Sequence, residues 1–257
     1  SSGTGTFTNP NSLTTCTYTP SADDIAAGGV TITLTASNEG CDAATAEKKL
    51  EIVALPTVSA GTAISACTSD TSVNITTGSS ATNYTTLVWT SNGTGTFENA
   101  DSLTLATYTP STDDLIAGSV ILTLTGNANS PCSNVTSTKT LTFYSPMSAA
   151  AGVDFNTCSS SDAINITTGS SANNQTEIIW SSNGSGTFTN ANSLTTCTYS
   201  PSAADLASGN VILTLTASNP GCSNLTSSKT ITFVPAPTAV AGTTINTCYS
   251  AGPINIT

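Results

Sequence analysis

Histidine and arginine are absent from this chain, and four lysines are its only cationic side chains. Without imidazole, no side chain titrates ordinarily near neutral pH. Without arginine, no planar fork exists for gripping phosphate or carboxylate. Charged residues make up 7% of the sequence and the net charge is -11, with no basic cluster. Nucleic acid is therefore a poor partner, because phosphate binding needs lysine or arginine to displace counterions. Apolar runs are only strand-sized, far short of the ~20 residues of a spanning helix, so no membrane insertion is expected in this segment.

What is present is repetition. The passage SSGTGTFTNPNSLTTCTYTP at Ser1 to Pro20 recurs as SNGTGTFENADSLTLATYTP from Ser91 and as SNGSGTFTNANSLTTCTYSP from Ser182. The offsets are 90 residues from Phe7 to Phe97 and 91 from Phe97 to Phe188. That is the size of one small sandwich domain, well above the period of most solenoid repeats. Each unit is thus expected to own its core. The phase places both chain ends inside a unit: Asn255-Ile256-Thr257 matches Asn74-Ile75-Thr76 and Asn165-Ile166-Thr167. Supplying the 14 positions equivalent to Thr77 to Thr90 would complete three periods. The expected division is 1–55, the C-terminal part of a repeat; 56–146 and 147–235, complete repeats; and 236–257, the N-terminal part of another.

Within a unit, Val30-Thr31-Ile32-Thr33-Leu34-Thr35 alternates apolar residues with threonine. This is the period-2 signature of a strand with one wet face, and it argues against disorder in a low-charge chain. The same strand recurs at Val120 and Val211, and Lys139 to Tyr144 alternates likewise; the two predict a hairpin. Further strands are expected near Thr57, Ala63 to Ala66, Val73 to Thr76, Leu87 to Thr90, Thr96 to Asn99 and Thr104 to Tyr108. Seven or so strands in 90 residues predict an all-β fold of tandem immunoglobulin-like sandwiches arranged as a rod. Trp89 and Trp180 end short apolar runs where such a domain puts its core indole. Pro110-Ser111-Thr112-Asp113-Asp114-Leu115 and its two counterparts predict a single helical turn, begun by serine and acidic residues. Tyr18, Tyr108 and Tyr199 stand two residues before each proline, as corner anchors or as plain core residues.

Chemistry finds no reserved position. Lys48, Lys139 and Lys229 recur at one strand position, and a residue repeated every period reads as architecture. No catalytic residue, cofactor or metal is expected. The pairs Asp23-Asp24 and Asp113-Asp114 resemble calcium ligands, but the third copy reads Ala204-Asp205, which favours capping. An isopeptide bond to a lysine needs a buried carboxylate, and none is evident. Tyr84, unmatched in the copy that reads Asn174-Gln175, is the single candidate glycan platform.

Cysteine is the most informative side chain. Cys41 and Cys67, Cys132 and Cys158, and Cys222 and Cys248 are each 26 apart. Spacing alone does not choose a pairing. Pairs within domains would be Cys67 with Cys132 and Cys158 with Cys222, leaving Cys41 for Cys248; the alternative joins sequence neighbours across domain boundaries. The first pattern is preferred because it gives each domain one staple. Cys16 and Cys197 stand where the middle unit has Ala106, as small buried residues or as links to a second chain. Eight cysteines in such a chain point to an oxidising, extracellular location.

The G-[TS]-G-T-F passage, the Y-[TS]-P-S-x-[AD]-D-[IL] corner, the alternating Val-Thr strand and the Ala-Gly openings at Ala60, Ala151 and Ala241 carry a family resemblance over essentially the whole chain. They resemble the PKD-like or immunoglobulin-like repeats of giant gliding-motility adhesins of Bacteroidetes. Membership implies type IX export, cell-surface anchoring and a force-bearing filament. The expected partners are adjacent repeats or chains of the same filament, with extracellular surfaces or polysaccharide beyond it. Two other roles remain open: a polymeric filament subunit in which 236–257 of one chain completes 1–55 of another by strand complementation, and a carbohydrate-binding module.

Overall fold

The computed structural model describes every residue except 161, 247, 249–251, 254, 255 and 257. It divides into two compact units, Ser1–Ser145 and Pro146–Thr257.

The first unit opens with β1 (Thr6–Thr8), β2 (Thr17–Thr19), α1 (Ala22–Ala26), β3 (Gly29–Ala36) and β4 (Ala44–Glu51). A fuller set follows: β5 (Thr57–Ser59), β6 (Ile64–Cys67), β7 (Val73–Asn74), β8 (Ser80–Thr82), β9 (Thr86–Ser91), β10 (Thr96–Glu98), β11 (Thr107–Thr109), α2 (Thr112–Ala117), β12 (Ser119–Asn127) and β13 (Val135–Tyr144). The second unit repeats that set as β14 (Ser148–Ala150), β15 (Phe155–Cys158), β16 (Ile164–Asn165), β17 (Ser171–Asn173), β18 (Glu177–Ser182), β19 (Thr187–Thr189), β20 (Thr198–Ser200), α3 (Ala203–Ser208), β21 (Asn210–Ser218) and β22 (Leu225–Val234).

Each full set is a tandem-repeat sandwich of immunoglobulin-like type, and the described residues are all-β apart from three short helices. One sheet runs β6-β13-β12-β9, the facing one β10-β11-β7, with a small β5-β8 pair beside them. In the second unit the orders are β15-β22-β21-β18, β16-β20-β19 and β14-β17. The hairpin expected from the alternating segments is present as β12 and β13, with Leu122 opposite Lys139. Parallel pairing of β6 with β13, and of β15 with β22, adds a flank that the alternation does not reveal.

The threonine alternation sorts the faces. Val120, Leu122 and Leu124 point inward and are buried, while Ile121 is half exposed on the other face. They pack with Trp89, Tyr108, Ile75, Leu141 and Phe143 into one core. The second unit builds the same core from Trp180, Tyr199, Ile166, Leu213, Leu215, Ile231 and Cys197. Each fully buried leucine contributes about 2 kcal/mol.

Register overturns the preferred disulfide pattern. Cys67 pairs with Tyr144 at one end of β13, whereas Cys132 lies in the loop before Val135 at the other end. The ten residues of β13 place these ends roughly 30 Å apart, and a disulfide needs Cα atoms within about 7 Å. Cys158, opposite Val234, and Cys222, in the loop before Leu225, are kept apart in the same way. Cys67 and Cys222 are disulfide-bonded, but Cys41, Cys132, Cys158 and Cys248 are free thiols. Neither Cys67–Cys132, Cys158–Cys222 and Cys41–Cys248 nor the sequence-neighbour pattern is formed.

Candidate functional site

The most elaborate polar assembly is a corner built three times from the repeated passage. In the middle copy, Ser111 caps α2: its hydroxyl accepts from the Asp114 N–H at 3.2 Å, and the Asp114 carboxylate accepts from the Ser111 N–H at 2.9 Å. This is a reciprocal capping box, completed by Gly118 at φ 77, a left-handed position that suits glycine. The carboxylate also accepts from Thr94 N–H at 2.9 Å, Gly95 N–H at 2.9 Å and the Tyr108 hydroxyl at 2.7 Å. Both oxygens are therefore committed to donors of this chain.

Those bonds explain why the passage reads G-x-G-T-F. A Cβ on Gly93 would sit 2.2 Å from the Asp114 carboxylate, and one on Gly95 would sit 2.4 Å from the Thr109 carbonyl and 2.6 Å from the Tyr108 ring. Only glycine lets the backbone approach that closely. Phe97 then packs against Tyr108 in a tilted pair, with ring centroids 4.9 Å apart. The first copy repeats the arrangement with Asp24, Tyr18, Thr4 and Gly5; in the third, Asp205 accepts from the Ser185 N–H and the Tyr199 hydroxyl, and the Gly186 N–H donates to that hydroxyl.

The electrostatics follow from these contacts. Burial pushes the Asp205 carboxyl up, but the N–H groups of Ser202 and Ser185 and the Tyr199 hydroxyl outweigh it, leaving a pKa of about 2. The Ser21 N–H leads the donors that hold Asp24 at about 2. Asp114 is lowered for the same reasons as Asp205. Tyr108 and Tyr199 are raised, by burial first and by the adjoining carboxylate. A carboxylate kept ionised by several donors of its own chain is held in place as part of the corner. Asp23 and Asp113 point to solvent, which is why Ala204 replaces them without disturbing the corner.

The lysines form the second repeated feature. Lys139 and Lys229 are 5% and 2% exposed, and burial lowers both pKa values. The Lys139 ammonium lies 5.2 Å from the Trp89 ring centre and donates to the Thr77 carbonyl at 3.3 Å. Lys229 lies between Trp180 and Phe155 and donates to the carbonyls of Ile166 and Thr168. Cation–π contact and carbonyl oxygens take the place of an anion. Among the described residues the single ion pair, Lys49 with Glu51, is on the surface. Among the described residues no carboxylate forms an ion pair with a buried lysine, so the chemistry of an isopeptide bond is not assembled there.

Trp89 and Trp180 occupy the core positions expected of them. Cys197 is a buried free thiol, while Cys16 is exposed and free. Burial pushes the Cys197 thiol up to about 11. Tyr84 is 38% exposed and has no aromatic neighbour among the described ring contacts. The coupling of both glycines to tyrosine and aspartate was not read from the sequence. Its signal is the constant separation of G-x-G from Y and D in all three copies.

No family model and no curated protein matches the chain. Solved structures similar to it include extracellular domains 3–5 of Drosophila OTK, at 10% identity over 80% of this chain and 72% of that one, with a TM-score of 0.40. Immunoglobulin domains 1–5 of Sidekick-1 align at 14% identity over 81% of this chain and 47% of theirs, with a TM-score of 0.40. Cadherin domains 3–6 of protocadherin gamma B2 align at 13% identity and a TM-score of 0.30; the match covers 91% of this chain and 65% of that one.

Proposed function

We propose that this chain is a structural repeat segment of an extracellular bacterial adhesin filament. It extends a surface-binding tip from the cell surface and transmits force in adhesion or gliding, and it is not an enzyme. The observation that supports this reading is the threefold corner, whose buried carboxylate accepts from the tyrosine hydroxyl at 2.7 Å in every copy. A group repeated every 90 or 91 residues and consumed by its own backbone serves architecture. Repetition also gives reach, since strands of ~10 residues at ~3.3 Å rise make each domain roughly 30 to 40 Å long.

Stretching the full chain in a single-molecule force experiment tests the proposal. With the disulfide of Cys67 and Cys222 reduced, two complete sandwiches should give two equal unfolding steps, each releasing roughly 300 Å of chain at about 3.4 Å per residue. A chain that extends without discrete steps contradicts a force-bearing role, and specific glycan or protein binding by a complete sandwich contradicts a pure spacer.

A further inference from the structure

The second sandwich carries a cleft of about 490 Å³ between the start of β18 and the turn that joins β19 to β20. Small-molecule sites occupy roughly 300–1,000 Å³. Three of its polar side chains are already used, since Ser193 and Thr195 bond within their own turn and Thr176 donates to the Ser218 carbonyl at 3.2 Å. Gln175, Glu177 and Asn192 are free. Among the described residues three buried side-chain atoms lack a partner, and the Gln175 Oε1 is one of them. The Trp180 Nε1 is another; its counterpart Trp89 donates at 3.3 Å to the carbonyl of Ser102, the match of Ser193 in the cleft wall. An acceptor and a donor are thus left over at one place, each at a cost to stability. The repeats also trade charge there: at an offset of 91 residues Glu177 and Asn192 match Thr86 and Asp101. One carboxylate is kept while its side changes.

We propose that this cleft binds a neutral pyranose unit of a polysaccharide. Gln175 Oε1 and the Glu177 carboxylate accept hydrogen bonds, while the amide N–H groups of Gln175 and Asn192 donate them. Adjacent sugar hydroxyls satisfy both needs in one rigid molecule. Turning the Gln175 amide about its soft terminal torsion brings the orphaned oxygen to a hydroxyl, and Ile178 and Leu194 offer apolar surface to the C–H side of the ring. The cleft is lined by one carboxylate and no lysine, so uronic, sialic and sulfated sugars are disfavoured. The inference goes beyond the filament reading, because it gives the segment a grip of its own besides reach. Unfolding steps test the one and binding the other, so either can fail alone.

The test screens the full chain on an array of neutral and acidic oligosaccharides and titrates the retained ones by calorimetry. Neutral hexose oligosaccharides should be retained and acidic ones should not. Glu177→Gln, at an exposed residue, and Gln175→Ala, which removes an unpartnered atom, should each weaken binding about tenfold or more without lowering the melting temperature. Glu98→Gln, the same charge change in the first unit, should leave binding as it is. Four results overturn the proposal: no neutral oligosaccharide is retained; affinity is indifferent to both cleft variants; Tyr84→Ala abolishes binding while Glu177→Gln does not, which puts the site in the first unit; or a chelator abolishes binding, which gives the carboxylate to a cation.

Discussion

Residues 1–55 and 56–145 carry the same corner and hairpin, yet one region has a closed core and the other does not. The corner bonds agree closely: Tyr18 to Asp24 and Tyr108 to Asp114 are both 2.7 Å, and the aromatic pairs stand at 4.8 and 4.9 Å. The cores diverge. Leu124 is fully buried and Leu34 is 52% exposed; Lys139 is buried and Lys48 is exposed. Corner and hairpin are thus local, set by contacts within about 30 residues of sequence. The core is not, because β6, β7 and β9 supply its other wall in 56–145.

The largest effect should come from breaking the closed core. Leu124→Ala should destabilise the complete sandwich by about 2–5 kcal/mol in denaturant unfolding, whereas Leu34→Ala should stay within about 0.5 kcal/mol. Equal costs would show that the first region is packed. Asp114→Ala comes next. It strands the N–H groups of Thr94, Gly95 and Ser111 and the Tyr108 hydroxyl, for a loss of about 3 kcal/mol by thermal melting.

Acid sharpens the same point. Asp205 drops from an ordinary 3.8 to about 2 on folding, so its stabilisation is complete above pH 4 and disappears as pH falls from about 4 to about 2. Asp205→Asn should flatten that part of the stability profile of the second sandwich. The buried lysine has the opposite direction. Its folded pKa is lowered, so the unfolded chain binds more protons and stability rises with pH up to the ordinary lysine value near 10.5. Lys139→Met should be neutral or stabilising by about 1–2 kcal/mol at pH 7, and Lys48→Met should change nothing. The smallest difference is chemical: an alkylating reagent should modify exposed Cys16 well before buried Cys197.

The alternation of threonine with Val, Ile and Leu made β3, β12 and β21 legible, because a strand with one wet face needs nothing beyond its own residues. The serine caps and the single-turn helices were legible on the same ground. The strand Ser80–Thr82 was not, since three small polar residues carry no period. Nor was the parallel flank of β6, whose partner lies 77 residues away. The cysteine pairing failed for a related reason. Spacing records which positions repeat, while pairing depends on which end of a strand each occupies, and Cys67 and Cys132 occupy opposite ends. In the corner, serine, aspartate and tyrosine were each visible, but their convergence on Gly93 and Gly95 is a fact of three dimensions.

Hydrogen exchange resolved by peptide compares the two regions most directly. Amides of β12, paired on both edges with β13 and β9, should exchange only through global unfolding of their sandwich. Those of β3, paired with β4 alone, should exchange by local opening, faster by roughly a hundredfold or more. Equal protection of residues 29–36 and 119–127 would contradict the account, because it would mean that the hairpin and corner close a core without the flanking strands.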